Sequence, residues 1–163
     1  MVNWSEMLNF KFIKKDRDNE PENISDHVQE SPIESKDKYN KWKESFVSMI
    51  NDEEGFSIFR EYLSSQYCDE NLDFWKAVED FRVEPDDTQI RARAGAIYKR
   101  FIMKGAPRCI NLRSKSREKL GEQLKGPITR NFFDEMQKEI VEVMHRDPYQ
   151  RFLRSDYYRN LCT

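Results

Sequence analysis

Between Leu72 and Phe81 the apolar residues Leu72, Phe74, Trp75, Ala77, Val78 and Phe81 recur at helical spacing. That period gathers them on one wide face of an α-helix, and such a face has to be buried. Glu70 and Asn71 fall in the first turn, and Asp69 just before it can accept hydrogen bonds from the free N–H groups there. A polar pair held so rigidly serves either capping or a partner's surface. The same period returns along the chain. Trp42, Phe46, Met49 and Ile50 make one stripe that stops before Gly55, and Phe56, Phe59, Tyr62 and Leu63 make the next. Ile90, Ala94, Ile97, Phe101 and Ile102 continue until Gly105 and Pro107. Ser114 or Ser116 can cap a short helix carrying Leu120 and Leu124, which Gly126-Pro127 ends. Thr129 can cap a helix burying Phe133, Met136, Ile140, Val143 and Met144. Asp147-Pro148 restarts the chain with aspartate as cap and proline first, and Ser155 caps a last helix bearing Tyr158 and Leu161. With few glycines and no alternating β-branched runs, the pattern predicts an all-α domain of roughly eight or nine short helices.

The 163 residues divide into three parts. Residues 1–15 can form an amphipathic helix with Trp4, Met7, Leu8 and Phe12 on one face and Lys11, Lys14 and Lys15 at its end, suited to an anionic membrane surface. The plainer alternative is a flexible start. Residues 16–38 read as an acidic flexible linker, with eight acids against three bases and only scattered apolar residues. Residues 39–163 form the folded domain. No stretch approaches the length of a membrane span, and no signal-peptide pattern opens the chain. Three scattered cysteines offer no disulfide framework, so a reducing, cytoplasmic location is expected.

Catalytic and metal chemistry find little support. Asp69-Glu70-Asn71-Leu72-Asp73 imitates the start of a calcium loop, but Phe74 stands where the loop needs glycine. Glu142 and His145 have the spacing of half a carboxylate-bridged metal site, but His27 is the only other histidine. His145 is therefore expected at the surface, as a welcome partial charge near a helix C-terminus. No Gly-rich phosphate loop, nucleophile elbow or Cys–His pair occurs. We expect a protein without cofactor, metal site or covalent chemistry of its own, acting by binding as a monomer.

Three separated motifs carry a resemblance. Y-C-D-E-N-L-D-F-W from Tyr67, preceded by F-R-E-Y-L, is similar to the centre of a regulator of G-protein signalling (RGS) domain. I-N-L at Ile110–Leu112 and D-P-Y-Q-R-F-L-R-S at Asp147–Ser155 agree in order and spacing, and the likeness spans about Lys41 to Leu161. It implies a bundle of about nine helices and a GTPase-activating role toward the α subunits of heterotrimeric G proteins, without enzymatic chemistry in this chain. Carried over residue by residue, it implies α-subunit contacts at Tyr67, Glu70, Asn71, Asn111, Val143, Asp147 and Arg151. Asn111 would reach toward the α subunit's catalytic glutamine and a switch threonine, and Asp147 would accept bonds from the switch segments. The residues alone leave other uses open: capping for Asp147 and Asn71, turn-making for Asn111, an internal ion pair for Arg151. A scaffold or membrane adaptor with the same fold is the competing function.

Departures from the family pattern bear on strength and choice of partner. Gln66 stands for a common acid, Cys68 and Pro148 for common serines, Val143 for a common leucine, and Arg113 for an aspartate beside Asn111. Charge is also segregated. Thr88 to Arg130 holds twelve bases against two acids, and Arg91, Arg93, Lys99, Arg100, Arg113 and Lys115 would form an anionic-lipid patch if they shared one face. That would favour a peripheral position at the inner face of the plasma membrane. Aromatic residues for stacking on nucleic acid are too few, so no nucleic-acid partner is expected.

Overall fold

The computed structural model describes residues 32–163. The proposed amphipathic helix of residues 1–15 and the linker up to residue 31 lie outside the described residues. Helix α1 (Pro32–Glu44) opens the fold, followed by α2 (Phe46–Asn51), α3 (Glu53–Ser65) and α4 (Glu70–Arg82). A 3-10 turn at Asp87–Gln89 leads into α5 (Ile90–Ile97), which runs on through a π-helical turn at Tyr98–Ile102. Then come α6 (Ser114–Gln123), α7 (Asp134–Arg146), α8 (Pro148–Arg154) and α9 (Asp156–Leu161). No strand occurs among the described residues.

The helical stripes are where the sequence places them, with boundaries set by hydrogen bonds. The first stripe is two helices. Ser45 is extended, and its Oγ accepts from the Ser48 N–H at 3.1 Å, so α2 starts afresh there. Asp52 does the same for α3, accepting from the Gly55 N–H at 2.8 Å. Helix α1 begins at Pro32, inside the stretch read as linker, and its Lys38 pairs with the Glu54 carboxylate.

One continuous core holds the helices together, with two aromatic centres. Phe46, Phe59, Tyr62, Tyr149 and Phe152 join α2 and α3 to α8. Phe74, Phe81, Phe101 and Phe133 fill the space around α4, the end of α5 and the approach to α7. Each such ring removes 150–250 Å² from water in general, and edge-on pairs add roughly 0.5–1.5 kcal/mol. Tyr149 ties α8 to the end of α1, its hydroxyl donating to the carbonyl of Trp42; burial pushes its ionisation up to about 12.

Several expected caps are otherwise engaged. Asp69 makes no side-chain cap, because two guanidinium groups claim its carboxylate. Ser114 and Ser116 do not cap α6, whose N-cap is Arg113; the Ser116 hydroxyl donates to Glu139 instead. Helix α7 starts at Asp134, beyond Thr129, and Phe133 occupies the N-cap position without a side-chain bond. Proline does open α8, but the Asp147 side chain does not cap it. Ser155 caps α9 as expected, accepting from the Tyr158 N–H at 3.2 Å. His145 is half-buried, stacked on Tyr149 with ring centroids 5.6 Å apart, rather than lying at the surface. Burial lowers its pKa.

Candidate functional site

Three chain segments end near one another: the α3–α4 turn, the loop between α5 and α6, and the α7–α8 junction. The first is built by a Schellman ending of α3. The Cys68 N–H donates to the Leu63 carbonyl and the Tyr67 N–H to the Ser64 carbonyl, each at 3.0 Å. This motif puts its penultimate residue in the left-handed region, where glycine is the usual occupant. Here the residue is Tyr67, with φ of +55° and 95% of its surface exposed. A β-carbon there costs roughly 1–2 kcal/mol, and the ring recovers nothing from the core. Strain kept on a fully presented aromatic side chain points to function.

An ionic cluster fixes the start of α4 against its neighbours. Asp73 accepts from Arg60 Nε at 2.7 Å and from Arg108 Nη2 at 2.7 Å. Asp69, 8% exposed, meets Arg108 at 3.0 Å and Arg60 at 3.5 Å. Arg60 comes from α3 and Arg108 from the α5–α6 loop, so two carboxylates at the head of α4 hold both neighbours. Burial alone would raise the Asp73 pKa, but the two guanidiniums outweigh it and the net shift is downward.

The second segment is fastened to the first through Asn71. Its side chain is 4% exposed, and Oδ1 accepts the backbone N–H of Asn111 at 3.4 Å. Asn111 itself is exposed, so its backbone is held while its carboxamide is presented. Arg113 departs from the family's aspartate, yet its charge is not loose. Glu139 of α7 accepts the Arg113 N–H at 2.7 Å and lies 3.2 Å from its guanidinium. The third segment leads out of α7. Arg151 donates from Nε and Nη2 to Asp147 at 3.1–3.2 Å, and both side chains are exposed. Arg151 also lies close enough to the Cys68 thiol to lower its pKa, although burial pushes that thiol up by more.

The structure therefore brings together Asn71 with Asn111, and Asp147 with Arg151, whose guanidinium approaches Cys68. Tyr67 and Glu70 flank the first segment, and Val143 is half-buried on the last turns of α7. The basic residues fare differently. Arg93 pairs with Glu84, Arg91 donates to the Leu124 and Gly126 carbonyls, Arg113 is held by Glu139, and Arg100 lies 5.2 Å over the Phe101 ring. Lys99 and Lys115 are exposed. All six are exposed, and four of them also engage a neighbouring group.

Arg60, Arg108 and Glu139 escape sequence reasoning. For Glu139 a trace existed: an acid set three residues beyond Met136 and four before Val143, on the stripe that α7 buries. A cavity of about 1060 Å³ beside Tyr98, Arg117 and Gly121 is lined by none of the seven proposed contact residues. The convergent corners form an exposed polar surface, which suits a protein partner better than a small ligand. Among the described residues no group of His, Cys, Asp and Glu could hold a metal ion, and no helix is long and apolar enough to cross a membrane.

Comparison with known proteins places most of the chain in one family. Residues 45–161 match the model of the "Regulator of G protein signaling domain". The chain is 34% identical over 137 residues to Regulator of G-protein signaling 18 of Homo sapiens, covering 84% of this chain and 58% of that protein. It is 34% identical to Regulator of G-protein signaling 8 of Danio rerio over 127 residues, covering 78% and 72%. With Regulator of G-protein signaling 1 of Equus caballus it shares 36% over 129 residues, covering 79% and 65%. The chain thus spans about three fifths to three quarters of the length of these relatives.

Proposed function

Because the chain belongs to the family of regulators of G-protein signalling, we propose that it accelerates GTP hydrolysis by the α subunit of a heterotrimeric G protein. The observation that carries this is the meeting of the three corners, joined by the Asn71–Asn111 bond and the Cys68–Arg151 approach. In phosphoryl transfer nearly all catalysis is positioning and charge stabilisation, and an α subunit supplies its own arginine and water-orienting glutamine. A partner need only favour the reactive arrangement of the switch segments over the ground state. In this scheme the exposed Asn111 carboxamide meets the catalytic glutamine, and Asp147, squared by Arg151, accepts from switch donors. Tyr67, Glu70, Asn71 and Val143 complete the contact. Each comes from a rigid scaffold with its backbone already bonded, which reduces the ordering cost on binding. In this reading the work is cytoplasmic, and peripheral at the inner face of the plasma membrane if the exposed basic residues around Lys99 and Lys115 meet anionic lipid.

Single-turnover GTP hydrolysis by a panel of α subunits, with and without the protein, tests this. At least one α subunit should hydrolyse faster. The Asn111→Ala variant, folded as the wild type, should lose most of that effect, about thirtyfold for a central anchor. No acceleration of any α subunit leaves a scaffold or adaptor instead.

A further inference from the structure

We propose that Glu139 is a positioning residue that sets the loop carrying Asn111 from the neighbouring helix α7; this rests on the function proposed above. A carboxylate only 9% exposed on an apolar stripe is costly unless its oxygens are satisfied. Here both are. Oε1 accepts the Arg113 N–H at 2.7 Å and faces Arg113 Nε at 3.2 Å, while Oε2 accepts from Ser116 Oγ at 2.7 Å and Arg113 Nη2 at 3.2 Å. Arg113 is the N-cap of α6 and has no side-chain cap of its own. Glu139 therefore does from a different helix what the glutamate of a capping box does from its own first turn, accepting the N–H of the N-cap residue.

The position of this bond matters. Asn111 sits two residues before Arg113, with its own N–H held by Asn71. Upstream, the Ile110 N–H donates to Phe101 at 2.9 Å, and Arg117 donates to the Ile110 carbonyl at 3.2 Å. Downstream, Leu112 is buried and its N–H donates to the Ile110 carbonyl at 3.0 Å, and Glu139 adds the side-chain anchor at Arg113. Without it, the Arg113 N–H loses its acceptor and the Arg113 guanidinium its direct partner, two residues from the carboxamide. The same helix that carries Glu139 ends at the residue before Asp147, roughly 10 Å further along its axis at 1.5 Å per residue. A single rigid element thus sets the second corner and delivers the third.

The test pairs two readouts. In the free protein, Glu139→Ala should speed hydrogen exchange at the Arg113 amide by about tenfold or more, as expected for losing a charge-assisted bond. Amides in the middle of α4 should keep their protection. In single-turnover hydrolysis with saturating protein, Glu139→Ala should lower the acceleration about as strongly, and Asn111→Ala/Glu139→Ala should be no worse than Asn111→Ala alone, because one acts through the other. Glu139→Gln keeps an acceptor for the Arg113 N–H in the same volume. It should fold and fall between wild type and Glu139→Ala in both readouts. Unchanged exchange in either variant overturns the proposal, as do penalties that multiply in full. Should wild type accelerate nothing, the functional reading fails, while the exchange experiment still decides the anchor.

Discussion

Tyr67 makes stability and binding pull in opposite directions. Its left-handed backbone and exposed ring mean that Tyr67→Gly should stabilise the fold, by up to about 1 kcal/mol once the extra freedom of glycine in the unfolded chain is counted. The same change should weaken binding to an α subunit. Chemical denaturation and titration on one sample check both signs. Asn71→Ala should lose on both counts, because it leaves the Asn111 N–H without its acceptor. A stability loss of about 1–2 kcal/mol is expected. The proposed contact residues are legible in the sequence because the motifs fix their spacing. How they are held is not. The carboxylates of Asp69 and Asp147 can cap a helix by local rules, but Arg60 and Arg108 compete for one and Arg151 for the other. Most of those competitors are distant in sequence, so local pattern alone cannot find them.

Among the helices, apolar period proved a better guide than cap chemistry. The stripes of α3, α4, α5 and α7 are buried because packing decides them, whereas α1 and α2 share one stripe broken by Ser45. Gly55 shows how tight the junction of α2 and α3 is. A β-carbon there would lie 2.4 Å from the Met49 carbonyl oxygen and 3.0 Å from the Trp42 ring. Gly55→Ala should therefore destabilise by about 1–3 kcal/mol despite improved helix propensity, measured by thermal or chemical unfolding. At the end of α7, His145 packs between Phe46 and Tyr149, and burial depresses its pKa below the usual 6.5. The unfolded chain then binds a proton at higher pH than the folded one. Stability should be full above about pH 6.5 and fall as pH drops through the lower folded value. A melting series from pH 8 to 5 should show this slope, and His145→Gln should flatten it.

On the scale of the whole molecule, the fold works as a frame that keeps three distant stretches of chain in register. The ionic cluster of Arg60, Asp69, Asp73 and Arg108 ties α3, α4 and the α5–α6 loop together, and Glu139 ties that loop to α7. These bonds engage other groups of the same segments and leave the Tyr67, Asn111 and Asp147 side chains exposed. A surface already arranged in this way gains most from a partner whose own mobile segments have settled into a matching shape. Equilibrium binding to an α subunit loaded with GDP, compared with GDP plus aluminium fluoride, measures that preference directly. Binding should be markedly tighter to the fluoride-loaded form, which imitates the transferring phosphoryl group. Equal affinity for the two forms would overturn the proposed preference for the reactive switch conformation.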